Sequence, residues 1–125
     1  MRVLIVEDES PVSLLLQEML REMGHSVSGI APSLRTALAI AAGVPSDLAI
    51  VDIGLAGDGG DGVDAALALR QKFGVPTLLM SGASLAQLDE RAAAAQPVGF
   101  LKKPYTYADV ENAVISALER VRQAP

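Results

Sequence analysis

Hydrophobic positions along the chain fall into two alternating kinds of segment. Short, nearly unbroken apolar runs occupy Val3–Val6, Val27–Ala31, Leu48–Val51, Thr77–Met80 and Val98–Leu101. Many of their side chains are β-branched, and they lack the polar alternation of a sheet with one wet face. That is the pattern of parallel strands covered on both sides. Between them lie longer segments that read as helices: Pro11–Met23, Leu34–Ala42, Val63–Phe73, Leu85–Ala95 and Tyr107–Arg122. In the first, Val12, Leu15, Leu16, Met19, Leu20 and Met23 share one stripe and Leu14 lies opposite it. In the last, Val110, Val114, Ala117, Leu118 and Val121 form the stripe.

The segment ends carry matching signals. Ser10 before Pro11 reads as an N-cap and first-turn pair. Ser84 with Gln87, and more loosely Thr106 with Asp109, resemble capping boxes. Gly24, Gly43 and Gly74 follow helices where a left-handed residue closes the last turn. Five strands alternating with five helices predict an α/β domain: one doubly wound, five-stranded parallel sheet with helices on both faces. Right-handed crossovers and a strand at the start favour the flavodoxin-like order 2-1-3-4-5.

Composition narrows the function. The 125 residues suit one domain, and 50% hydrophobic content excludes a disordered chain. Aromatics are only 3%, so the core is built from Ala, Val, Leu and Ile. A net charge of −5 argues against direct binding to nucleic-acid backbones. The absence of cysteine excludes disulfides, thiolate metal sites and cysteine nucleophiles. "MRVLIVEDES" is too short and too acidic for a signal peptide, and no apolar run approaches the roughly 18 residues of a membrane span. A cytoplasmic domain with no membrane contact is expected. No repeat or linker is visible, and only Gln123, Ala124 and Pro125 follow Arg122, so residues 1–125 are expected to hold one domain and no output domain.

In such folds, sites lie beyond the carboxyl ends of the strands. Glu7 and Asp8 follow the first strand, Asp52 the third, Ser81 the fourth, and Lys102 and Lys103 the fifth. The first and third strands are neighbours at the sheet centre, so three carboxylates converge. Left alone they repel, and one tends to keep its proton. A divalent cation relieves the conflict, and hard oxygen ligands suit Mg²⁺ or Mn²⁺. A lysine opposite the metal can hold a phosphoryl group as a point charge, and a serine hydroxyl can donate to it. Asp52 so placed can act as a nucleophile and form an aspartyl phosphate, with metal and lysine offsetting charge on the transferred group. Gly54, Gly57, Gly59, Gly60 and Gly62 leave room for metal and phosphodonor to approach.

The stretches "VLIVEDE", "LAIVDIGL", "LLMSG" and "FLKKPY" are each common alone. In this order and spacing they resemble the receiver domain of two-component response regulators, over essentially the whole chain. The resemblance implies that Asp52 is the phosphoacceptor. It makes Asp8 a direct Mg²⁺ ligand and Glu7 a ligand through water, with the backbone carbonyl of Gly54 completing the protein ligands. Ser81 and Phe100 match the switch pair. Lys103, rather than Lys102, matches the family lysine because it directly precedes Pro104, and the bond between them is expected to be cis. The implied phosphodonor is a sensor histidine kinase or a histidine phosphotransfer protein. The implied effector surface is the face of the fourth helix, fifth strand and last helix. The domain would catalyse its own phosphorylation and dephosphorylation without being a turnover enzyme. In the family, residues two beyond the aspartate and two beyond the Ser/Thr tune phosphoryl lifetime. Here they are Gly54 and Ala83, both small, which implies rapid self-hydrolysis.

The chain departs from the family in three places. Ala56 stands where a proline is usual, the closing Asp61–Gly62 comes two residues late, so the Gly57–Gly62 loop is extended, and Phe100 replaces a frequent tyrosine. The alternative function is a receiver-like interaction module that works without phosphorylation. An aspartate-based phosphatase is disfavoured because Gly54 stands where a second aspartate is wanted. Flavin binding is disfavoured because no Ser/Thr-rich loop follows the first strand. His25 reads as a surface turn residue at the far end from the acids, and Lys102 as solvent-facing. Leu14 reads as an exposed leucine or as part of a kinase-docking surface.

Overall fold

A computed structural model of the chain describes residues 1–56, 59–82 and 90–123. Strands β1 (Arg2–Val6), β2 (Ser26–Ala31), β3 (Leu48–Asp52), β4 (Thr77–Ser81) and β5 (Gly99–Lys102) alternate with helices α1 (Ser10–Glu22), α2 (Leu34–Gly43), α3 (Gly62–Phe73), α4 (Glu90–Ala94) and α5 (Tyr107–Gln123). All strand pairs are parallel, in the order β2-β1-β3-β4-β5 expected from the sequence.

Each central strand divides its side chains between two cores with a period of two. Val3 and Ile5, Leu48 and Ile50, and Leu78 and Met80 meet Leu16 and Leu20 of α1 and Val110, Val114 and Ala117 of α5. Leu4, Val6, Ala49, Val51 and Leu79 face the other way, against Ala37 of α2, Val63, Ala66 and Leu69 of α3 and Ala92 of α4. Every residue of β3 is buried, while the edge strands β2 and β5 are only partly so. Fully burying a leucine such as Leu16 or Leu20 contributes about 1.5–3 kcal/mol. Among the described residues, no helix is long and apolar enough to cross a membrane.

Thr106 and Asp109 form the expected reciprocal cap: Asp109 N–H donates to Thr106 Oγ1 and Thr106 N–H to Asp109 Oδ2. Gly24 and Gly74 adopt the expected left-handed conformation, with φ of 91° and 65°. Several details differ from expectation. α1 begins one residue early, so Ser10 is its first residue and Glu9 occupies the cap position without a side-chain bond. Pro11 is tolerated there because its missing N–H is one of those the first turn leaves unpaired. Gly43 stays within α2, and Val44 leaves it extended rather than left-handed. The cause is Pro45, which pushes the residue before it out of the helical region. Leu15 is exposed like Leu14, so the covered stripe of α1 is narrower than its apolar sequence. His25 is half-buried rather than fully at the surface, and its Nδ1 is buried without a hydrogen-bond partner among the described residues. The Ser84–Gln87 cap and the first half of the expected fourth helix lie outside the described residues.

Candidate functional site

The alternation that builds the core also builds the site. Glu7 continues the face of Val3 and Ile5, and Asp52 continues that of Leu48 and Ile50, so both carboxylates emerge on the α1/α5 side. They sit one step beyond the Val6–Val51 register pair. Ladder bonds run past the strand ends and fix the backbone there. Glu7 N–H donates to Ala31 O (3.0 Å), Ile53 N–H to Met80 O (2.9 Å) and Lys103 N–H to Ser81 O (2.8 Å).

Lys103 enters from β5, and its peptide bond to Pro104 is cis as expected. Its Nζ lies 2.8 Å from Glu7 Oε1 and 3.1 Å from Asp52 Oδ2. Glu7 and Asp52 are 1% and 8% exposed, whereas Asp8 is open to solvent. One oxygen from each of Glu7, Asp8 and Asp52 falls within 4.8 Å of the others. Backbone donors hold the acids in place: Asp8 N–H to Glu7 Oε2 (3.1 Å), Gly54 N–H to Asp52 Oδ1 (3.0 Å) and Ala56 N–H to Asp8 Oδ2 (3.4 Å).

The electrostatic conflict is concentrated on Glu7. Burial, then its hydrogen bond with Asp52, pushes its carboxyl up to about 7, against the opposing pull of Lys103. Burial alone would lower the Lys103 ammonium, but its bonds to Glu7 and Asp52 more than reverse this and raise it. One lysine charge therefore faces three carboxyl groups. The donors are hard oxygens clustered at one point, with Asp8 reachable from water. This arrangement is compatible with a divalent metal site, and Glu7, Asp8 and Asp52 would hold the ion.

The other expected residues are placed as follows. Gly54 is exposed beside the acids, and a Cβ added there would lie 3.5 Å from Asp52 Oδ1. Ser81 ends β4 at the rim of the pocket, in register with Lys102, which is exposed as expected. Phe100 is not brought to the carboxylates: it is 39% exposed and lines a cavity of about 600 Å³ with Asn112 and Ser116 of α5. Ala83 lies outside the described residues.

Two features escaped sequence reasoning. Asp61 and Asp64 form a capping box at the start of α3. Its signal, an aspartate followed three residues later by an acid, was present in "DGVD". Arg91 of α4 then grips both aspartates, with Nη1 3.0 Å from Asp61 Oδ2 and Nη2 2.7 Å from Asp64 Oδ1. The guanidinium holds the Asp61 carboxyl below the usual carboxylate range. No local pattern announces a partner 27 residues away.

A family model described as the response regulator receiver domain matches residues 3–115. The chain is 35% identical over 122 residues to the transcriptional regulatory protein PdtaR of Mycobacterium tuberculosis, covering 98% of this chain and 58% of that protein. It is 32% identical over 118 residues to the phyllosphere-induced regulator PhyR of Methylorubrum extorquens, covering 93% of this chain and 43% of PhyR. It thus spans about half the length of these relatives. Among solved structures, the signal receiver domain of a modulated diguanylate cyclase from Desulfovibrio desulfuricans superposes with a TM-score of 0.87 at 28% identity, covering 97% of this chain and 95% of that one. The receiver domain of PhyR from Erythrobacter litoralis gives 0.81 at 27% identity, over 99% and 93%. With the acids of β1 and β3 and the lysine of β5 gathered at one sheet edge, these matches have a structural basis, and the chain belongs to the response regulator receiver domain family.

Proposed function

We propose that Asp52 accepts a phosphoryl group from the phosphohistidine of a sensor histidine kinase or histidine phosphotransfer protein. The observation that carries this reading is the convergence of Glu7, Asp8, Asp52 and Lys103 beyond the central strands. An Asp52 oxygen attacks phosphorus, the P–N bond to the donor imidazole breaks, and the phosphoryl group ends on the aspartate. Bound Mg²⁺ or Mn²⁺ would offset charge on the phosphoryl oxygens. Lys103, already within 3.1 Å of Asp52, stabilises the same group from the β5 side. Burial of Asp52 and Glu7 lowers the local dielectric and strengthens these contacts. The Ser81 hydroxyl at the rim turns to the new oxygens, and Phe100 moves with it. The cavity between β5 and α5 thereby changes shape for an effector.

Acetyl phosphate with Mg²⁺ tests this directly, with intact mass as the readout. One phosphate per chain is expected in the wild type, and none in Asp52→Ala or in chelator. An absence of adduct in every sample would favour an interaction module that works without phosphorylation. Rapid release of many phosphates per chain would instead indicate a hydrolase.

A further inference from the structure

The segment that follows Asp52 is secured at both ends. At the near end, Ala56 N–H reaches Asp8 Oδ2, a bond that the family's usual proline could not make. In the middle, Gly59 lies so close to α2 that a Cβ would stand 3.1 Å from the Leu34 side chain. At the far end, the Asp61–Asp64 cap is gripped by Arg91, whose Nη2 also lies 3.2 Å from Asp61 Oδ1. Gly62 packs directly on the backbone of Asp52, so tightly that a Cβ would overlap its carbonyl oxygen, and Gly62 N–H approaches Ile53 O at 3.4 Å. The start and end of the loop therefore cannot move independently. A shift at Asp52–Gly54 reaches Gly62 and Asp61 by hard contact, and Arg91 carries it to α4.

Building on the reading of Asp52 as phosphoacceptor, we propose that Arg91 is a latch: its grip on Asp61 and Asp64 holds α4 to the loop in the arrangement of the unmodified pocket, and a phosphoryl group on Asp52 works against it. The pocket geometry sets the direction. Asp52 Oδ1 holds Gly54 N–H and Oδ2 holds Lys103, so a phosphoryl group on Oδ1 displaces the first of these partners and leaves the second beside the transferred group. Losing the first moves the loop at Gly54. The Arg91 fork is half-exposed, as are both aspartates, so the grip is weak enough for a change at the pocket to open. Its two-carboxylate geometry still favours one loop position over others. Coupling of this kind is reciprocal: whatever opens the latch must favour the phosphoryl state by the same factor.

Beryllofluoride with Mg²⁺, a stable mimic of an acyl phosphate, is the probe. Arg91→Ala should bind it about two- to fivefold more tightly than wild type, with Arg91→Lys in between. Backbone amides of residues 90–95 should exchange faster when wild type binds the probe, and should already do so in free Arg91→Ala. A merely structural loss would weaken binding, so tighter binding separates the two roles. Equal or weaker binding by Arg91→Ala, or α4 exchange insensitive to the substitution, overturns the latch. If wild type binds no beryllofluoride, the phosphoacceptor reading falls and the latch with it. Wild-type binding without an Arg91 effect overturns the latch alone.

Discussion

Replacing Glu7 by Gln separates two accounts of the buried acid. If the Lys103–Glu7 contact at 2.8 Å is a stabilising salt bridge, removing one partner should cost about 3–5 kcal/mol. The electrostatics of the pocket predict the opposite sign. The carboxyl is pushed from 4.5 to about 7, first by burial and then by Asp52. The folded state therefore binds more protons than the unfolded state between those values. The stabilising contribution is complete below about pH 4.5 and is lost as pH rises through about 7. At about 1.4 kcal/mol per pKa unit the ceiling is about 3 kcal/mol. Water entering beside the exposed Asp8 screens this to about 1–2 kcal/mol. Gln mimics the protonated form at every pH. Urea unfolding in chelator should show the two proteins nearly equal near pH 5 and Glu7→Gln more stable by about 1–2 kcal/mol near pH 8. Mg²⁺ at tenfold over its dissociation constant should return about 1.4 kcal/mol to the wild type and less to the variant. A wild type that is the more stable at pH 8 without metal, or a gap that does not change with pH, would refute the reasoning.

Other substitutions test other parts of the molecule. Bulkier residues at Gly54 or Ala83 should slow loss of the phosphoryl group, followed by mass after donor removal; unchanged decay in both would exclude control of water access from these positions. Thr77 is 1% exposed and its Oγ1 has no hydrogen-bond partner among the described residues, so Thr77→Val should raise stability by about 1 kcal/mol in urea unfolding. Gly62→Ala should lower it by about 3 kcal/mol, because the new Cβ meets backbone that cannot step aside; Gly43→Ala, with nothing within 4 Å, should be neutral or slightly stabilising. Burial, then the chain's amino terminus, lowers the His25 pKa below 6.5. Its contribution is present above about pH 6.5 and lost as pH falls through the lower folded value, so wild type should lose stability relative to His25→Gln on acidification.

What could be read from the chain, and what could not, divides by the range of the interaction involved. The strands were legible because both faces of β1, β3 and β4 are covered, which leaves unbroken apolar runs. The acids were legible because a carboxylate directly after such a run has one place to go, the edge of the sheet. Ser10 and Gly43 misled because a neighbour outweighed local propensity: Pro11 accepts the second position of α1, and Pro45 extends Val44 before any left-handed turn can form. Leu15 misled because periodicity reports which positions can be covered, and α1 buries a narrower arc than its sequence offers. The extended loop shows the limit most clearly. Its glycines suggest slack, yet Gly62 is required by close approach to Asp52, and Gly59 and Gly60 take φ of 100° and 145° that other residues rarely adopt. The same composition serves a loose tether and a tightly fitted turn. What decides between them is the close approach of Gly62 to Asp52 and of Gly59 to Leu34, together with Arg91 on Asp61 and Asp64, contacts that the loop's own sequence does not announce.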